Sequence, residues 1–272
     1  MTVLLQLSDP HFGTEQAAVM TALQRLVAAQ RPDVLLLSGD ITQRATAAQF
    51  AAARAFVDRL QVPTLLAVPG NHDIPLFNLA LRLLRPYARY QHAFGATLEP
   101  SFENAAVLVL GLNATRWWRH ADGQLSVAQI ERVARRLEQA SPRQWKLVLL
   151  HQPVAVTRPQ DLKNLVHGHA QAVQRWRAAG ADVVLGGHIH LPFVLPLPAP
   201  ATATTPARLL WVVQAGTAVS SRVRAEAGNS VNLIRVADGG LRQAVVERWD
   251  HQAAQQQFVC VARQDLAAPP AG

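Results

Sequence analysis

The stretch ADVVLGGHIH, Ala181 to His190, runs apolar, crosses two glycines and ends on two histidines separated by one residue. A short Val-rich run of this kind reads as a buried strand. His188 and His190 then stand at the end of the strand as candidate ligands. The same pattern recurs upstream. TVLLQLS leads into SDPHF, with Asp9 and His11 two apart; DVLLLSG leads into Asp40; PTLLAVPG leads into Asn71, His72 and Asp73; and KLVLLHQP carries His151. Each apolar run is followed at once by residues of metal-ligating type. The carboxyl ends of neighbouring strands would gather these groups at one edge.

Between the runs lie longer stretches of helical periodicity, the signature of β-α-β units. Thr46 with Gln49 predicts a capping box ahead of the stripe Phe50, Ala53, Val57 and Leu60. Ser126 with Gln129 predicts another ahead of Ile130, Val133, Ala134 and Leu137. A further helix is predicted over 170–179, with Val173 and Trp176 on one side and Gly180 as its C-terminal cap. After His190, the stretch LPFVLPLPAPATATTPAR has five prolines and reads as a surface loop. LLWVVQAGT, SVNLIRVAD and LRQAVVERW then read as strands, the last two joined by a turn at Asp238, Gly239 and Gly240. No linker divides the chain. The expected organisation is one domain over 1–251 and a partly disordered tail over 252–272, with 74–103 and 191–207 as recognition loops.

Composition narrows the function classes. Half of the 272 residues are apolar and 16% are charged, which fits an ordered globular chain. The formal net charge is +8, and of 26 basic residues only Lys146 and Lys163 are lysines. That skew, with much alanine, reflects either genome composition or a surface that attracts anions. The basic residues are scattered, so no stable nucleic-acid complex is expected. Cys260 stands alone, which excludes an intrachain disulfide and a cysteine-based metal site. The opening MTVLLQLSD is too short for a signal-peptide core, and no apolar run approaches the roughly 20 residues that span a bilayer. A cytoplasmic protein without membrane insertion is the expectation.

The ordered set Asp-x-His, Gly-Asp, Gly-Asn-His-Asp, His and Gly-His-x-His resembles the calcineurin-like metallophosphoesterase superfamily, with its motifs spread over residues 9 to 190. The resemblance implies an α/β fold: a four-layer α-β-β-α sandwich, two mixed sheets flanked by helices, with a pair of divalent cations at the strand ends. Carried over by motif position, Asp9, His11, Asp40 and His190 would bind one metal and Asp40, Asn71, His151 and His188 the other, with Asp40 as the bridge. His72 would face the leaving-group oxygen without binding metal. Carboxylate, imidazole and amide donors without thiolate suit Mn, Fe or Zn better than Mg alone. Such a pair would activate a water and stabilise the charge of an in-line displacement on a small anionic phosphoester.

Within the superfamily the pattern looks most like the class III cyclic nucleotide phosphodiesterases. The implied function is hydrolysis of phosphodiester bonds, with 3′,5′-cyclic nucleotides as one candidate. A pyrophosphatase, a phosphomonoesterase or a non-catalytic binding scaffold of the same fold are the alternatives. GDITQRA departs from the Gly-Asp-x-x-Asp-Arg-Gly of protein phosphatases at Gln43 and Ala45. Several residues stay open at this stage. Asp73 fits either a turn or a partner of His72. Arg44, Arg222 and Arg224 fit phosphate contacts or solvated charges. His167 and His169 imitate a ligand pair but precede a helix. His92, His120 and His251 read as surface residues. Trp117 and Trp118 fit partly buried packing, or stacking on a base.

Overall fold

The computed structural model of the protein describes residues 1–119, 121–197, 209–239 and 242–266. In chain order the elements are β1 (Thr2–Leu7), α1 (Ala17–Gln30), β2 (Val34–Ser38), α2 (Ala47–Leu60), β3 (Thr64–Val68), α3 (Leu79–Leu84), α4 (Ala88–Phe94), β4 (Ser101–Glu103), β5 (Val107–Gly111), α5 (Val127–Gln139), β6 (Trp145–Leu149), α6 (His169–Ala178), β7 (Val183–Gly186), β8 (Phe193–Leu197), β9 (Leu210–Gln214), β10 (Ser230–Val236), β11 (Ala244–Gln252) and β12 (Gln257–Leu266). Short 3₁₀ turns occupy Asn71–Asp73 and Pro159–Asn164.

Period-two alternation in the strands builds the layers. In the first sheet, ordered β12-β11-β10-β1-β2-β3, the strands β1, β2 and β3 run parallel, and β10, β11 and β12 continue antiparallel. In the second, ordered β4-β5-β6-β7-β9-β8, the four central strands are parallel and the two edges antiparallel. Val3, Leu5, Leu7, Leu35 and Leu37 pack outward with Leu23, Phe50 and Phe56 of α1 and α2. Leu4, Leu36 and Leu66 face inward onto Val107, Leu147 and Leu185 of the other sheet. Leu108, Val148 and Val184 turn to the far side and meet Ile130, Leu137 and Trp176 of α5 and α6. The fold is therefore the expected helix, sheet, sheet, helix sandwich of two mixed sheets. Gln6, buried between the sheets, donates from Nε2 to the Gly186 carbonyl at 2.9 Å and accepts from Asn232 Nδ2 at 3.0 Å. This polar tie fixes β1 against β7 directly behind the ends that carry the candidate ligands.

Helix starts follow the sequence with two differences. Ser126 and Gln129 form both halves of a capping box. Thr46 accepts from the Gln49 backbone, but the Gln49 side chain accepts from Arg44 N at 2.8 Å instead of reaching back to Thr46. α6 begins one residue before the predicted start, and Trp176 is buried in it.

Four regions differ from expectation. Residues 74–103, read as a loop, hold α3, α4 and β4. Phe193–Leu197, read as the start of a proline-rich loop, forms β8; Pro196 is tolerated because β8 is an edge strand. The remaining 198–208 lie outside the described residues, as do Gly240 of the expected turn and the terminal AAPPAG. Gln257–Leu266, read as tail, pairs with β11 as the outermost strand of the first sheet. Its apolar signal is weak because only Phe258 and Leu266 are buried. β5 has the apolar make-up of the other strands but runs into Leu112 and Asn113, so it lies outside the strand-end pattern.

Candidate metal centre

The loops after β1, β2, β3, β6 and β7 converge at one edge of the sandwich, and backbone hydrogen bonds lace them together. Asp9 N donates to Gly39 O at 3.1 Å, His11 N to Asp40 O at 3.0 Å, and Gly187 N to His151 O at 2.8 Å. Across the sheets, His188 N donates to Asp9 Oδ2 at 2.9 Å. These turns use unusual backbone: Asp9, His11, Asp40, His188 and His190 have φ of 50°, 42°, 48°, 71° and 56°. Left-handed backbone outside glycine costs about 1–3 kcal/mol per residue and persists where surrounding contacts over-determine it, often at functional sites. Gly39 adds φ of 88° and a close approach, since a Cβ there would stand 2.5 Å from His151 Nδ1.

Two groups of donor atoms result, and Asp40 belongs to both. In the first, His11 Nε2 lies 3.2 Å from His190 Nε2, 3.7 Å from Asp9 Oδ1 and 3.7 Å from Asp40 Oδ2. His190 Nε2 is 3.1 Å from Asp9 Oδ1. In the second, His151 Nε2 lies 3.3 Å from Asp40 Oδ1, 3.2 Å from Asn71 Oδ1 and 3.3 Å from His188 Nδ1. The triples Asp9–His11–His190, Asp40–His151–His188 and His11–Asp40–His72 each have their ligand atoms within 4.8 Å of one another. All seven residues assigned to metal by motif position are thus brought together. His72 stands beside them.

Second contacts set the tautomers. His151 Nδ1 lies 2.8 Å from Ser38 O, His190 Nδ1 2.5 Å from Arg222 O, and His72 Nδ1 3.0 Å from Gln43 O. A carbonyl only accepts, so each Nδ1 carries the hydrogen, and in the neutral ring Nε2 presents its lone pair to the site. His11 Nδ1 and Asp9 Oδ1 are buried without a hydrogen-bond partner among the described residues. Burial pushes His11 down to about 3 and His188 down to about 4, so both rings are neutral at pH 7, as ligands must be. Burial also opposes charge on His151, but the Asp40 carboxylate outweighs it and lifts that ring to about 9. A proton there stands where a cation would compensate Asp40. Converging lone pairs, buried carboxylates and an orphaned carboxylate oxygen are a donor set that fits divalent cations.

The open residues also find their places. Asp73 accepts from Gly70 N at 2.9 Å, Ile41 N at 3.0 Å, Thr42 N at 2.8 Å and Thr42 Oγ1 at 3.0 Å, so it ties the β3 loop to the β2 loop. Burial, then the Asp40 charge, pushes its carboxyl up to about 7. Arg222 enters the centre: its Nη1 donates to Gln43 Oε1 at 3.0 Å and lies 3.2 Å from His72 Nε2. Sequence leaves this arginine undecided, and its only signal is its place in the SSRVRAE loop after β9. Arg224 is structural, donating to Asp161 at 3.0 Å and to Ile189 O, between the two histidines, at 3.1 Å. Arg44 stacks over Phe77 at 5.6 Å. His167 pairs with Asp122 and with Arg119 Nη1, and His169 Nδ1 meets Val166 O at 3.0 Å, so neither joins the donor groups. His92 is exposed, His251 packs edge-on to Phe258, and His120 lies outside the described residues. Trp117 and Trp118 are exposed, against the expectation of packing.

Two sheets that deliver carboxylate, imidazole and amide donors around one shared aspartate define a metallophosphoesterase centre. The family model of the calcineurin-like phosphoesterases matches residues 2–192, and the chain belongs to that family. It is similar to a probable cyclic nucleotide phosphodiesterase of Synechococcus sp., 29% identical over 176 residues that make up 60% of each chain. This chain thus aligns with about 60% of that relative's length. Among solved structures it is similar to a dimetal phosphatase from Danio rerio, with a TM-score of 0.68, 12% identity, and 98% and 99% of the two chains covered. It is similar too to a purple acid phosphatase from yellow lupin seeds, with a TM-score of 0.71, 12% identity, and 97% and 53% covered. GAP50, the anchor in the inner membrane complex of Plasmodium, shares the fold at a TM-score of 0.60, with 10% identity and 98% and 89% covered. At these identities the structures speak for the fold alone.

Proposed function

We propose that the protein hydrolyses phosphodiester bonds, with Asp9, His11, Asp40 and His190 holding one divalent cation and Asp40, Asn71, His151 and His188 a second. The observation that carries this reading is the position of Asp40, whose two carboxylate oxygens face the two donor groups separately. Mn, Fe and Zn suit the donors, and the setting is cytoplasmic. When bound, the pair supplies Lewis acidity, polarising a phosphoryl oxygen and making water nucleophilic at neutral pH.

The chain's own groups do the rest. Ser38 and Arg222 carbonyls hold His151 and His190 in the tautomer that offers Nε2. His72, oriented by Gln43 O through Nδ1, stands to assist the departing oxygen: Nε2 first takes a proton, as the Arg222 guanidinium turns from that nitrogen to the phosphoryl group, and then passes it to the leaving group. Arg222, hydrogen-bonded to that ring, pairs with the phosphoryl charge. One guanidinium matches the single charge of a diester, whereas a monoester dianion asks for more. Cyclic nucleotides are the first substrates to try, supported by the likeness to the Synechococcus relative. A scaffold without catalysis is disfavoured, because every motif position for a ligand is filled by a competent donor. Comparing kcat/KM for bis-p-nitrophenyl phosphate, p-nitrophenyl phosphate and 3′,5′-cyclic nucleotides with Mn²⁺ supplied tests the reading. The diesters are expected to be preferred, and a clear monoester preference refutes the diester assignment.

A further inference from the structure

Helix α3 buries none of its residues. A short Leu-rich helix ordinarily turns its leucines onto a core. Here Phe77, Leu79, Leu83 and Leu84 stand 79%, 66%, 56% and 81% exposed. Just beyond the helix, the Tyr87 hydroxyl lies 3.1 Å from Thr115 O and 2.8 Å from Thr115 Oγ1. That contact seats the segment beside the loop carrying the exposed Trp117 and Trp118. Clustered exposed apolar side chains of this kind mark a surface that meets a partner.

Charge says which partner. From Ile74 to Leu98 the chain contains no aspartate or glutamate, and it carries Arg82, Arg85 and Arg89. Arg82 is held by Pro75 O at 3.2 Å and Arg89 by Ala45 O at 2.9 Å, neutral acceptors that leave the positive charges in place. Arg44 adds a further cation over the Phe77 ring. In a twofold contact between copies, a patch meets its own like. This one would set arginine against arginine on chains of net charge +8, which opposes self-association. We propose that the α3 face is a docking surface for an anionic lipid surface. Phe77, the exposed leucines and the tryptophans enter the interfacial layer, and the arginines meet phosphate headgroups while their stems lie along apolar surface. The protein then adsorbs without spanning; among the described residues no helix is long and apolar enough to cross a membrane. The inference is independent of catalysis, since no candidate metal ligand takes part.

Co-sedimentation of the full chain with vesicles of phosphatidylcholine alone, and of phosphatidylcholine and phosphatidylglycerol in equal parts, tests it. Binding to the anionic vesicles is expected. Arg85→Gln should weaken it about fivefold, the loss for one interfacial cation. Phe77→Ser combined with Leu84→Gln should abolish it with the thermal transition unchanged, because both side chains face water. No binding to anionic vesicles, equal binding to neutral ones, or full retention in the double variant would each overturn the proposal. So would self-association in sedimentation velocity that the double variant removes, which would assign the face to a second copy.

Discussion

Replacing Asp73 with Ala removes the acceptor that joins the Gly-Asp loop to the Gly-Asn-His-Asp loop. Four donors then lose their partner in a buried place: the N–H groups of Gly70, Ile41 and Thr42 and the Thr42 hydroxyl. An unsatisfied buried donor costs about 1–3 kcal/mol, and a water admitted to the small cavity recovers part, so roughly 1 kcal/mol each gives about 4 kcal/mol. Removing a carboxyl that burial, and then the Asp40 charge, push up to about 7 offsets roughly 1 kcal/mol of this. The net expectation is a loss of about 3 kcal/mol, a large fraction of a typical total of about 5–15 kcal/mol. For a chain of this size that corresponds to a fall in Tm of roughly 6–12 °C. Urea unfolding of wild type, Asp73→Asn and Asp73→Ala, with m unchanged, reads it directly. Asn keeps one acceptor and should lose about half as much. An Ala variant within about 1 kcal/mol of wild type would refute the tie between the loops.

His72→Ala should keep the metal content of the wild type while kcat falls by about 10²–10⁴, the range for a proton-transferring group; loss of metal in elemental analysis would make His72 a ligand. Arg222→Gln retains the backbone carbonyl that holds His190, so metal content should again be unchanged, while kcat/KM for a diester falls about 10–100-fold through loss of a charged hydrogen bond. An unchanged kcat/KM would return Arg222 to a purely structural part.

Much of the centre is legible in the sequence because polarity breaks sharply at the strand ends. An all-apolar strand buried on both faces has to stop where the sheet meets solvent, and Asp9, Asp40, Asn71, His151 and His188 stand at those stops. The layered fold follows from the same runs, whose alternate residues go to different cores. Long-range closure is what the runs do not show. Arg222 comes to His72 from 150 residues away, on a loop whose course depends on how β9 and β10 sit in different sheets. The left-handed φ of five site residues is equally invisible, since Asp and His, though enriched in that backbone, mostly adopt others, and residue type alone does not mark it. β8 and β12 are edge strands with proline or polar faces, so burial leaves little imprint on their composition. The helix α3 lies in a segment read as a recognition loop, and because it buries none of its residues no burial pattern marks it as a helix.

The most direct test of the two-metal centre is the metal content of Asp40→Ala beside the wild type, by elemental analysis after loading with Mn²⁺ and desalting, with turnover of bis-p-nitrophenyl phosphate measured on the same samples. Because Asp40 faces both donor groups, its loss should strip at least one of two bound metals and abolish turnover. An Asp40→Ala protein that binds two metals and turns over at near wild-type rate would contradict the bridging role, and with it the centre described.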